Sequence, residues 1–253
     1  MKTLDQKPYV PKVSFLADEY MLKDYKKRIK SYSEIAQKVL NVFTFQDGVI
    51  RGSNSFANVL LDSLFQKEYR LALPSQVLND SELNPEFFRR NYEDLGLILR
   101  TNGDSYSNNN HNAKNLYTQL DERDIKPTEE NPVRISLKGL ELEEDNDSHY
   151  GLVHKLTDEA EILQAPEFSH KYGNRRFLKS DKRGVPIYLS DDKISNLSEE
   201  EKLQLKIFYA RKDGLGRLCL GRLLDLDSYW NGYLADSSAL GWVAVAKNFP
   251  QEI

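Results

Sequence analysis

The sequence predicts an α+β protein with helices in the N-terminal half and short strands in the C-terminal half. Three observations carry that expectation. Apolar residues recur at helical spacing through the first half of the chain. From Pro132 onward the period changes to two, with Val133, Ile135 and Leu137 alternating and Leu140 and Leu142 after them. Turn signals then recur at Asp145-Asn146-Asp147, Tyr172-Gly173-Asn174 and Arg183-Gly184. Helices first and strands afterward is the order of an α+β layout, and no internal repeat interrupts it.

Taken in order, residues 1–15 carry two prolines and little pattern, so they read as an arm. With the segment after it, this arm makes up residues 1–34, ahead of a single domain over 35–253. Ser33 is placed to cap a helix carrying Ile35, Val39, Val42 and Phe43, and Gln46-Asp47-Gly48 is a strong stop. Ser53 or Ser55 starts a second helix with Phe56, Val59, Leu60 and Leu64 on one stripe, a face that needs burial against the later strands. Asn84-Pro85-Glu86 combines a capping residue with proline at the first helical position. Phe87, Phe88, Tyr92 and Leu95 extend that helix until Gly96 closes it. Leu97–Arg100 reads as a short buried strand, Asn102 to Asn112 as a polar loop, and Ala113–Leu120 as a helix.

Composition narrows the function. A chain of 253 residues, 40% hydrophobic and 29% charged, buries a core of ordinary size. A net charge of −4 argues against nucleic acid as a partner, which calls for a basic face. The single cysteine, Cys219, forbids an internal disulfide, so the fold rests on packing. The N-terminal residues show no apolar signal region and no run of about 18 apolar residues occurs, so a cytoplasmic or virus-particle location without a membrane span is expected.

The stretch Asp213–Lys247 is written in a different vocabulary. It holds both tryptophans and the cysteine, and from Asp213 to Ala246 it lacks Glu, Gln, His, Met, Thr, Pro and Lys. Leu218, Leu220, Leu224, Leu226 and Leu234 alternate there with Tyr, Trp, Asn, Asp, Ser and Gly, a mixture typical of binding surfaces rather than catalytic centres. Leucines spaced by two point to one face of an extended segment, as do Val243 and Val245 in the last strand. Cys219, Gly221, Leu223, Asp225, Asp227 and the run Ser228–Tyr233 are therefore expected to face outward or lie in loops. Tyr229, Trp230 and Tyr233 would gather around an Asn231-Gly232 turn as aromatic anchors.

The frame G-x-x-R-L-x-L-x-x-x-L-x-L-x-S, followed by L-A-x-S-x-x-x-G-x-V-x-V, resembles the variable region of target proteins of archaeal-type diversity-generating retroelements. Arg51-Gly52-Ser53-Asn54-Ser55-Phe56, Tyr69–Pro74, Pro132–Leu137, Tyr150-Gly151-Leu152 and Ala165-Pro166 are similar to upstream parts of that family, so the likeness spans residues 45–247. The resemblance implies a C-type-lectin-like scaffold displaying hypervariable residues at a ligand site, with no catalytic residues, cofactor or metal. It also implies adenine-directed change of Asn codons, which never yields Glu, Gln, Lys, Met or Trp. Cys219, Gly221, Leu223, Asp225, Asp227, Tyr229, Asn231, Gly232, Tyr233, Asp236, Ser238, Ala239 and Leu240 all belong to the permitted set. Trp230 and Trp242 do not, and Trp242 stands where the family usually shows Arg; both complete the candidate ligand-binding set. The calcium-sugar triplets of C-type lectins are absent, since Trp230-Asn231 is followed by Gly232.

The expected function is non-enzymatic binding, by a monomer, of a ligand that is a protein or surface macromolecule. Two other readings stay open: an assembly protein docking through the aromatic loop, and a catalyst on a formylglycine-enzyme-like fold. The acidic cluster Glu141, Glu143, Glu144, Asp145 and Asp147 fits no calcium-loop spacing and reads as a solvated turn. His149 and His154 fall on opposite faces of an extended segment, which disfavours a zinc site with Glu161. Cys219 with His170 as nucleophile and base is the weakest of the catalytic options.

Overall fold

The structure is a computed structural model and describes residues 12–65, 69–102, 108–212, 214–228, 233–237 and 239–247. It is α+β, organised around the strand Tyr92–Leu99 and its antiparallel neighbour Leu215–Leu220. Among the described residues these lie inside an eleven-stranded sheet. On the far side of Leu215–Leu220 the sheet continues through Leu226–Asp227, Lys206–Tyr209 and Arg175–Ser180 to Pro186–Tyr188. The other edge of Tyr92–Leu99 is forked. Its first two residues pair in parallel with Gly241–Trp242, and residues 96–99 pair with Val133–Ser136.

Both faces of this central pair are covered. Leu97, Leu99 and Leu215 enter a core shared with the helices Glu19–Arg28, Glu34–Leu40, Ser55–Leu64 and Asn110–Asp121. Ile98, Leu218 and Leu220 enter a second core with Phe88, Phe168, Phe177 and Phe208. Strands buried on both faces read as continuous apolar runs instead of alternating ones. That explains why the alternating leucines around Cys219 do not mark an exposed face: residues 215–220 are buried throughout.

Several local expectations hold and several shift. Ser33 does cap Glu34–Leu40, accepting from Ala36 N, but the buried residues are Ala36 and Leu40, while Ile35 is exposed. Gln46-Asp47-Gly48 closes a hairpin between Thr44–Gln46 and Val49–Arg51, with Asp47 and Gly48 both at positive φ, the two-residue turn that Asp-Gly favours. The helix begun by Pro85 ends at Phe88, and Tyr92 and Leu95 belong to the long strand. Their spacing from Phe87 imitates a helical face because two short elements follow one another there. The polar stretch before Ala113 contributes residues from Asn110 on to the helix Asn110–Asp121.

The expected arm is sheet from Val13 on. Val13–Phe15 pairs antiparallel with Ala244–Ala246, which pair on their other edge with Tyr69–Leu71 and its neighbours. The Asp80 carboxylate accepts from the N–H groups of Lys12 and Val13 at 2.7 and 2.8 Å. Leu22, Tyr25 and Ile29 join the same core as the later helices, so residues 13–34 pack with the rest of the chain. No described helix is long and apolar enough to cross a membrane.

Candidate ligand-binding site

The C-terminal frame meets the surface at the N-terminal end of the central strand. There the tight turn 221–225 lies on one side of Arg89–Tyr92 and residues 239–241 lie on the other. Arg90 N–H donates to Arg222 O at 3.1 Å, and Tyr92 N–H donates to Leu240 O at 3.2 Å. Leu223 and Leu240 are exposed here, as are Arg222 and Ala239; Tyr233, whose carbonyl faces Arg217, is exposed as well.

Beneath this surface a polar platform grips the chain by its main-chain carbonyls. Arg217 is fully buried and forms a two-pronged ion pair with Asp94, Nε to Oδ1 and Nη2 to Oδ2, both at 2.8 Å. Its free nitrogen, Nη1, donates to Asp236 O. The segment Arg51–Ser55 supplies the rest of the grip. Asn54 Nδ2 donates to Ala235 O at 2.9 Å and Ser55 Oγ to Leu234 O at 3.1 Å. Gly52 N–H reaches Gly241 O at 2.8 Å, and Ser53 N–H reaches Ser237 Oγ at 3.2 Å. Ser53 Oγ in turn donates to Asp94 and accepts from Asn58 Nδ2, so the platform is one connected network. Tyr92 closes it by donating to Ser53 O at 2.8 Å. Gly241 is required at its place: a Cβ there would stand 2.6 Å from the Tyr92 phenol.

Several sequence expectations need correction. Cys219 does not face outward; it is fully buried, with Sγ 3.3 Å from Asp94 Oδ1, and burial pushes its thiol well up. The cause is the two-sided coverage of its strand. Leu224 does not share an extended face with Leu226. It sits at φ +67 inside the 221–225 turn and is buried. Gly221, Asp225, Asp227 and Asp236 are half-buried instead of open. Asp225 accepts from Ile207 N–H at 2.6 Å, and its carboxyl is raised by burial, opposed by that bond and by Lys206. Asp227 lies 3.7 Å from an Arg211 nitrogen. Trp242 is half-buried, edge-on to Phe15 with ring centroids 3.7 Å apart, and Arg51 lies 5.0 Å over its ring. Tyr229, Trp230, Asn231, Gly232 and Ser238, and with them the expected Asn231-Gly232 turn, lie outside the described residues.

The sequence reading missed the fixed residues beside the site. Arg222 lies between two candidate positions, and its exposure is a property of the turn that no spacing announces. Arg89, Arg90 and Lys206 come from distant segments. Lys206 and the 221–225 turn border a surface groove of about 920 Å³, walled also by Leu203, Leu205 and Pro85. His154 is fully buried, stacked on Phe56 with centroids 4.4 Å apart, and its ring is held neutral, near a pKa of about 3, chiefly by burial. Glu93, also buried, has both carboxylate oxygens without a hydrogen-bond partner; burial, then the Asp94 charge, raise it well above the ordinary carboxylate range. Among the described residues, no cluster of three or more His, Cys, Asp or Glu side chains is placed to hold a metal ion.

Comparison of the chain with protein-family models, with curated proteins and with solved structures finds no match.

Proposed function

We propose that this protein is a non-enzymatic ligand-binding protein whose residues 213–247 are diversified by a retroelement and displayed on a C-type-lectin-like scaffold. One observation carries the reading: eleven of the thirteen frame residues are buried, and the candidate positions that are exposed all lie outside the frame, although the candidate Cys219 is buried with it. The frame residues Gly214, Arg217, Leu218, Leu220, Leu224, Leu226, Ser228, Leu234, Gly241, Val243 and Val245 are all buried. Of the remaining two, Ala235 is half-buried and gripped through its carbonyl, and Ser237 is exposed but accepts from the Ser53 N–H. The exposed members Leu223, Tyr233, Ala239 and Leu240 all fall between frame positions. Side chains can change there at little cost in stability, because the backbone is secured by other residues. Exposed aromatic and aliphatic groups beside small polar ones suit a protein or surface macromolecule as ligand.

Sequencing the DNA around this gene tests the proposal. A near-identical repeat is expected beside a reverse-transcriptase gene, differing from residues 213–247 at template adenines. Its substituted codons should concentrate at Leu223, Tyr233, Ala239 and Leu240 and spare Arg217, Leu218, Ser228 and Gly241. A locus with neither repeat nor reverse transcriptase sinks the reading.

A further inference from the structure

The groove beside the 221–225 turn has an unusual floor. The Lys206 side chain is only 10% exposed, and its nearest carboxylate oxygen, Glu82 Oε1, stands 4.0 Å away, beyond hydrogen-bond reach. That oxygen is already taken by the Ser180 N–H at 2.6 Å. Below the ammonium lies the Phe177 ring, 5.7 Å from Nζ, which offers a face but no lone pair. A largely buried ammonium whose ion pair with Glu82 is this long lacks a hydrogen-bonded acceptor in the protein, and an anionic oxygen entering the groove would supply one.

The other polar groups lining the groove divide by sign. Each of its carboxylates is engaged by a donor of the protein itself: Glu82 by Ser180, Asp225 by the Ile207 N–H at 2.6 Å, and Glu86 by Arg89 at 3.2 Å. Glu201 is spent on its helix cap, accepting from Ser198 N and Oγ at 2.9 Å each. The carboxylates thus each have a donor within hydrogen-bond reach, while the Lys206 ammonium has only its long ion pair with Glu82. Arg90 and Arg222, both exposed and joined through their backbones, add positive charge where the 221–225 turn meets the central strand. Part of the wall is apolar: Leu203, 85% exposed, and Leu223, 73% exposed, line this cavity beside charged groups that include Arg89 and Lys179.

We propose that this groove is a binding site for a carboxylate carried on a short branched aliphatic chain, with Lys206 Nζ donating to the carboxylate and the leucine walls covering the chain. Such a group occurs at the end of a polypeptide finishing in leucine and in free aliphatic acids. The inference does not rest on diversification: Lys206 precedes residues 213–247, and a locus without a repeat leaves it standing.

Titration of the full chain by calorimetry or NMR, using N-acetylleucine, isocaproate and isocaproamide as probes, tests it. Both carboxylates, or N-acetylleucine alone, should bind, and the neutral amide should bind roughly tenfold more weakly or not at all. Equal binding of the two acids marks a free aliphatic acid as the source, and preference for N-acetylleucine marks a chain end. Lys206→Met keeps the apolar stem and should lose at least that factor, with Lys206→Arg restoring part of it. Failure of both acids to bind, or equal binding of the amide by the unaltered protein, overturns the proposal whether or not the variants fold. So does undiminished binding by a folded Lys206→Met.

Discussion

The strand Leu215–Leu220 and the segment from Tyr233 to Gly241 belong to one frame but are secured in different ways. The strand is held by ladder bonds to Tyr92–Leu99 and by burial on both faces, so every residue in it is buried. The later segment is held at the carbonyls of Leu234, Ala235, Asp236 and Gly241 by donors from Arg217 and residues 52–55. A grip on the main chain places no demand of its own on the side chain at the same residue, although Leu234 is also buried and Gly241 leaves no room for a Cβ. The comparison teaches that tolerance to substitution follows the mode of anchoring, not the alternation visible in the sequence.

The sharpest way to break that contrast is to remove the platform. Asp94→Ala leaves the buried Arg217 guanidinium without its partner and should cost about 3–5 kcal/mol, measured by denaturant unfolding. A cost near that of a surface substitution would mean that the platform does not secure the segment. Cys219→Asn puts an amide into the covered strand and should cost about 1–3 kcal/mol, since a buried polar group without a partner is expensive. Gly241→Ala drives a methyl against Tyr92 and should cost about 1–3 kcal/mol by overpacking, seen as a lower Tm with the exposed surface otherwise unchanged.

Glu93 sharpens the comparison from the strand side, since it sits in register with Trp242 and Leu220. Its folded pKa lies above the ordinary value of 4.5, so the folded state binds its proton more tightly than the unfolded chain does. Its contribution is therefore fully present below about pH 4.5 and is lost as pH rises toward the folded value, at up to about 1.4 kcal/mol per pH unit. Glu93→Gln should remove that slope, so its unfolding midpoint should gain on the parent between pH 5 and 8; parallel curves would refute the assignment. The smallest effect is expected at Leu240→Asn, within about 0.5 kcal/mol of the parent. If Leu240→Asn costs as much as Cys219→Asn, the two modes of anchoring are not distinct.

Much of the local structure was legible. Ser33 as a cap, Pro85 at a helix start and the period of two after Pro132 each rest on a short-range rule, and each holds. The central strand was legible only in its second half, because Phe87, Phe88, Tyr92 and Leu95 repeat at near-helical intervals across a chain reversal at Arg90, whose φ is +75. Cys219 was misplaced because alternation reports an exposed face only when one side of a strand is solvated. The platform joins Asp94 to Arg217 across 123 residues, and local periodicity carries no information at that range. Nothing local to Lys206 announces its burial, which brings it within 4.0 Å of Glu82 on the distant helix Pro74–Leu83.

Val13–Phe15 and Tyr69–Leu71 flank the strand Ala244–Lys247 in a small sheet of their own. Two early segments of the polypeptide therefore wait for the same late one. Until residues 244–247 leave the ribosome, Leu71 and Val13 have no strand between them, and the sheet closes only when residues 213–243 have been translated in frame. Any copy of the gene that loses its reading frame in that stretch leaves both early strands unpaired and exposed, a substrate for proteases. Completion of this sheet thus depends on the length and frame of residues 213–243, whatever side chains their exposed positions carry.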